Sequence, residues 1–182
     1  EVLFRETLYF SPQFPEGAGV TAAASAMAAA VPQASAGFLT GKDAAVTILY
    51  TNDVHTYIDN KSPKLTYAAI AAMKQGYVDE GKPVLLVDAG DHIQGTAYGS
   101  MDDGATIIEL MNEAGYDIAT LGNHEFDYGM ARAKAAMKEA AFPYVSCNWV
   151  DLRTGLKVLP SIKIFTIGGA RIAFVGVTTP ET

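Results

Sequence analysis

Pro83-Val84-Leu85-Leu86-Val87 runs straight into Asp88-Ala89-Gly90-Asp91-His92. An unbroken Val/Leu run of this kind marks a β-strand covered on both faces, and polar residues at its carboxyl end are where open α/β sheets present ligand-binding side chains. The same grammar recurs on either side. Val46-Thr47-Ile48-Leu49-Tyr50 leads into Asn52-Asp53-Val54-His55, and Ile118-Ala119-Thr120-Leu121 leads into Gly122-Asn123-His124-Glu125. Tyr144-Val145-Ser146 reads as a further strand. Ile162 to Ile167 and Arg171 to Val177 flank Gly168-Gly169-Ala170, which predicts a hairpin with a Gly-supported turn and, with the other strands, a mixed sheet.

Helical periodicity fills the gaps, so the class is α/β. Ser62 can cap a first helix with Pro63 at its first position, running to about Gly76. Asp102 or Asp103 can cap a second, whose Ile107, Ile108 and Met111 share one face and which Gly115 terminates. A third spans about Tyr128 to Ala141, with Met130, Ala133, Met137 and Ala140 as its core stripe and Phe142-Pro143 beyond its end.

The chain has 182 residues, an apolar fraction of 49% and a formal charge of -7, and no run of Lys or Arg offers a stripe for nucleic-acid phosphates. Nucleic acid is therefore not expected as a partner. The single Cys147 cannot form an intrachain disulfide and is expected as a buried free thiol. Residues 1–44 are expected to be an Ala-rich tail, and 45–182 to belong to the α/β domain. Val20 to Val31 followed by Pro32-Gln33-Ala34-Ser35-Ala36 has the pattern of a secretory signal cleaved after Ala36, whereas Glu1 to Gly19 lacks the basic start and includes strings similar to protease-cleavage linkers. The apolar stretch is too short to span a bilayer. A secreted, periplasmic or cell-surface location is the expectation.

Three polar strand ends converging in one crevice would bring Asp, His and Asn together, an O/N donor set suited to divalent Mn, Fe, Zn or Co. Asp53 and His55, two apart, would project to one side of an extended segment and grip one ion. Asp91 could bridge to a second ion, and Asn123 offers that ion a neutral oxygen. His124, if not a ligand, would stand beside the metals as a cation or proton donor, with Asp127 placed to orient it. His92 and Glu125 are expected in loop or supporting roles, and Asp59 and Asp88 in structural ones.

The strings Asp53-Val54-His55, Gly90-Asp91 and Gly122-Asn123-His124-Glu125 resemble the first three blocks of the calcineurin-like metallophosphoesterase superfamily. Leu49 to His55, Asp88 to Asp91, Leu121 to Gly129 and Thr178 to Thr182 resemble its 5'-nucleotidase family in particular. The resemblance covers residues 46 to 182 and implies a four-layer α/β/β/α sandwich. It also implies two divalent ions, with Asp53 and His55 on one, Asp91 bridging, Asn123 on the other, and His124 with Asp127 as the catalytic dyad. The activity it implies is hydrolysis of nucleoside 5'-phosphates, cyclic nucleotides or nucleotide-sugars by metal-activated water. The family draws further ligands from a later His and a G-H-x-H block, and its nucleoside-recognising domain follows. The histidines here are His55, His92 and His124. The expectation is thus a partial catalytic domain, and the alternative is a metal-binding module without turnover.

Overall fold

The computed structural model describes residues 5–6, 45–58 and 66–178. The signal-like stretch, the linker-like strings, Asp59 and the expected Ser62-Pro63 helix start lie outside them. The central sheet has the strand order β1 (Arg5–Glu6), β2 (Thr47–Thr51), β3 (Val84–Asp88) and β4 (Ile118–Ala119). β1 lies antiparallel to β2, while β2, β3 and β4 are parallel, with Thr51 opposite Asp88 and Asp88 opposite Ala119. That register brings the carboxyl ends of the three parallel strands level, so the three polar loops leave the sheet side by side.

Helices α1 (Tyr67–Asp79), α2 (Ala97–Ser100), α3 (Ala105–Ala114) and α4 (Met130–Glu139) connect these strands and lead on from the last of them. Leu49, Leu86, Ile70, Ile107, Ile108 and Met111 form the core between helices and sheet. Alternation turns Leu85 and Ile118 to the opposite face, where they too are buried. The continuous apolar pattern of β3 follows from this double coverage.

The helix ends differ from expectation in instructive ways. Thr66 caps α1, its Oγ accepting the Ala69 N–H at 3.2 Å. The helix passes through Gly76 and stops only before Gly81, whose φ of 69° supplies the left-handed turn that ends a helix. Gly104 rather than an aspartate occupies the cap position of α3, while Asp102 accepts the Thr106 N–H from just outside. Gly115 terminates that helix, as its position suggested. Met130 sits at the exposed first residue of α4 and leaves the expected stripe, whereas Ala133 is buried with Ala136, and the half-buried Met137 and Ala140 pack against the core.

The expected fourth strand is reduced to one parallel bridge between Ala119 and Tyr144. Its next backbone bonds run the other way: Ser146 N–H donates to Pro160 and Cys147 N–H to Gly176. This segment therefore joins the sheet to the following chain instead of extending a ladder. β5 (Val150–Asp151) and β6 (Leu156–Lys157) make a small hairpin that the sequence did not announce. β7 (Ile162–Ile167) and β8 (Ala170–Val175) pair antiparallel around Gly168 and Gly169, both at positive φ, in a separate two-stranded sheet rather than in the central one. Cys147 is a free thiol, half-buried rather than enclosed.

Candidate metal centre

The first two polar loops are held in a conformation that an ordinary strand exit would not adopt. Asp53, His55, Thr56 and Asp91 have φ of 53°, 46°, 58° and 58°. Left-handed backbone at non-glycine residues costs about 1–3 kcal/mol each and persists only where the surroundings over-determine it. Here they do. Asp53 N–H donates to the Gly90 carbonyl at 3.1 Å and His55 N–H to the Asp91 carbonyl at 2.9 Å. Thr56, fully buried, accepts the Thr96 N–H on its Oγ at 2.7 Å, and its carbonyl accepts the Thr96 hydroxyl at 3.0 Å. The extended Asp53-Val54-His55 segment expected from spacing is thus replaced by a turn.

Glycines allow the loops to touch. A Cβ on Gly122 would overlap both carboxylate oxygens of Asp91, and one on Gly90 would overlap the Gly122 backbone. Gly95 lies equally close to the His55 backbone.

The result brings His55, Asp91 and His124 together, with one donor atom of each within 4.8 Å of the others. The two imidazole rings meet edge to face at a centroid distance of 4.9 Å. His55 Nδ1 faces the Gln94 carbonyl at 3.0 Å. A carbonyl only accepts, so Nδ1 carries the hydrogen and the lone pair of the neutral ring lies on Nε2. His124 Nδ1 lies 2.7 Å from Asp127 Oδ2. That hydrogen bond, above all, raises the His124 pKa, against the opposing effect of burial and with the charges of Asp127, Asp91 and Glu125 adding to it.

Asp91 is raised by burial first; the backbone N–H of His124 opposes this, and the Glu125 charge and a side-chain contact with Asp53 add to it. Two touching carboxylates beside two imidazoles call for a shared proton or cation, and the mixed O/N set suits a divalent ion. The residues fit a metal. Asn123 opens the short 3-10 turn His124–Phe126, and no side-chain hydrogen bond of its amide is found among the described residues.

Beneath this cluster lies a buried polar network. His92 Nδ1 is 2.8 Å from Asp88 Oδ1, and its Nε2 is 2.8 Å from the Tyr144 hydroxyl. Asp88 also accepts the Gly90 N–H at 2.8 Å and the Thr51 hydroxyl at 2.6 Å. Complete burial works against protonating His92, but the charges of Glu125 and Asp88 outweigh it and push the pKa up to about 9. An imidazolium between two carboxylates satisfies the rule that buried charges are paired. Gln94, Gly95 and Thr96 were not singled out from the sequence. The only signal for them was a short Gly-containing polar run after the Gly-Asp-His string.

Residues 46–180 match the calcineurin-like phosphoesterase family. The chain belongs to that family. It is 36% identical over 153 residues to the snake venom 5'-nucleotidase of Gloydius brevicauda, a match covering 75% of this chain and 26% of that protein. The crystal structure of a 5'-nucleotidase precursor from Thermus thermophilus superposes with a TM-score of 0.65 at 32% identity, covering 74% of this chain and 29% of that one. The NAD nucleotidase of Haemophilus influenzae does so at 0.64 and 29%, covering 75% and 26%. The chain thus spans about a quarter of the length of the curated relatives it matches. Among the described residues, no helix is long and apolar enough to cross a membrane.

Proposed function

We propose that this chain carries part of the active site of a metal-dependent phosphohydrolase acting on nucleoside 5'-phosphates or related nucleotides. The observation that carries the proposal is the meeting of His55, Asp91 and His124 at the carboxyl ends of three parallel strands, with Asp53 against Asp91. The similarity to 5'-nucleotidases and a NAD nucleotidase supports the substrate class.

In this proposal Asp53, His55, Asp91 and Asn123 would hold two divalent ions, and His124 with Asp127 would act on the substrate. Such ions supply Lewis-acid charge to phosphoryl oxygens and make water a better nucleophile. His124 contributes separately. Its Nδ1 is fixed on Asp127, so a protonated ring presents Nε2–H to a developing phosphoryl charge or to the departing alkoxide. Export to the periplasm, the cell surface or the medium is proposed on the Ala-rich stretch and its A-x-A site.

The test is release of inorganic phosphate from adenosine monophosphate with added Mn2+, using the protein in the full form in which the cell makes it. Asp91→Ala and His124→Ala should each lower kcat at least about 100-fold, the usual scale for an acid–base group. Full activity in both would sink the assignment. Calorimetric titration of the chain itself with Mn2+ separates a complete dinuclear site, taking two equivalents, from a module that binds one ion without turnover.

A further inference from the structure

Glu125 is buried, with 2% of its surface exposed, and a buried carboxylate needs partners. It has three close ones, all backbone N–H groups. Oε2 accepts from Gly122 at 2.6 Å and from Asp91 at 2.9 Å, and Oε1 accepts from His92 at 2.8 Å. The His92 ring lies 3.4 Å from Oε1 and supplies the counter-charge. A carboxylate seated in a cup of main-chain N–H groups holds those groups' conformation as firmly as they hold it.

What is held matters more than the holding. Asp91 is in the left-handed region, so its backbone is not at rest without restraint. The Asp91 carboxylate in turn accepts the His124 N–H on Oδ1 at 2.8 Å. Glu125 and Asp91 therefore brace each other's loops in both directions. The first loop hangs from this brace through Asp53 N–H on the Gly90 carbonyl and His55 N–H on the Asp91 carbonyl. The loops that carry Asp53, His55, Asp91 and His124 are thus linked through one carboxylate that faces away from solvent.

We propose that Glu125 is a positioning residue for the metal centre: by accepting the N–H groups of Gly122, Asp91 and His92, it holds the Asp91 carboxylate and the His55 ring in register to bind a cation, with the His124 ring beside them. The proposal rests on the metal-site assignment made above. It differs from a purely structural role in what it predicts for the folded protein. A carboxylate that merely knits two loops would, when altered, lower Tm and leave metal affinity untouched.

The experiment is Mn2+ calorimetry on chelator-stripped protein, held well below its Tm, with circular dichroism to confirm folding. Glu125→Gln keeps the volume but turns one acceptor into a donor facing N–H groups. It should weaken Mn2+ binding by about 10–100-fold, the range typical of residues that orient metal ligands. Asp117→Asn is the control. Asp117 likewise accepts a backbone N–H, that of Leu86 at 2.7 Å, and pairs with Lys74 at 2.8 Å, but it stands at the opposite end of β4. It should lower Tm with Mn2+ affinity unchanged.

Where Glu125→Gln does not fold, Glu125→Asp carries the same test, because the shorter acid keeps the charge but cannot reach all three N–H groups. In the full-length protein the KM for adenosine monophosphate should move little while kcat falls. Unaltered Mn2+ affinity in the folded Glu125 variants, with the wild type binding normally, overturns the positioning role alone. No Mn2+ uptake by the wild type overturns the metal site and the positioning role together.

Discussion

β3 and the β7–β8 hairpin both draw on large apolar residues, Val and Leu in the first and Ile, Phe and Val in the second, with Lys163, Thr166 and Arg171 interleaved in the hairpin, and they live in different surroundings. Val84, Leu85 and Leu86 are buried on both faces, whereas Ile162 and Ile164 are 42% and 44% exposed. The difference is not propensity. β3 lies between β2 and β4 with helices over one face, while among the described residues β7 pairs only with β8. Where the hairpin meets the body it does so at its ends: Gly168 lies against Pro83 and Val46, and Thr178 binds Asn148 and Gly122. A strand's composition says that it wants a covered face, and the neighbouring layers decide whether it has one. The polar loops follow the same division, since all three leave the side-by-side parallel strands and none leaves the hairpin.

The sharpest way to break this contrast is truncation in both regions. Leu86→Ala should cost about 3–4 kcal/mol, the sum of lost transfer energy and a cavity in a region that cannot collapse. Urea unfolding followed by far-ultraviolet circular dichroism checks it. A loss under about 1 kcal/mol would mean the β3 core is looser than its burial implies.

The second test asks how firmly the buried network under the loops is tied to folding. His92 has a folded pKa of about 9 against an ordinary 6.5, so the folded state keeps a proton that the unfolded chain releases between those values. The stabilisation is complete below pH 6.5 and disappears as pH rises through 9. Metal-free protein should therefore lose up to about 3 kcal/mol across that window, and His92→Gln should abolish the slope. A flat profile in the wild type would show His92 to be neutral.

Gly122→Ala probes the loop contact itself. Its methyl must displace the Asp91 carboxylate, so Mn2+ affinity should fall about tenfold, or about 1.4 kcal/mol, by calorimetry. Smallest of all, Ile164→Ser on the exposed hairpin face should change stability by no more than about 0.5 kcal/mol. A cost there equal to that of Leu86→Ala would mean that the hairpin face is covered after all.

Much of the fold was legible in the residues. Unbroken apolar runs located β2 and β3 to within a residue, Gly115 ended α3, and Gly168-Gly169 made the hairpin turn. Misplacements came where long-range bonds compete with local pattern. Tyr144-Val145-Ser146 has strand composition but divides its backbone bonds between Ala119 on one side and Pro160 on the other. Gly76 resembled a helix end because glycine can turn left-handed, yet Gly81 is the residue that does so.

The order of the residues alone determined which polar side chains follow the apolar strands, because strand periodicity and loop polarity are local properties. Asp53, His55, Asp91, Asn123, His124 and Asp127 could be proposed as site residues that way. Only the tertiary structure decided how they meet. The turn at Asp53 to Thr56, the pinning of His55 by Gln94 to Thr96, and the Glu125 carboxylate linking two loops depend on contacts between segments more than 30 residues apart. No local pattern encodes such contacts, since each exists only once the strands have placed both partners.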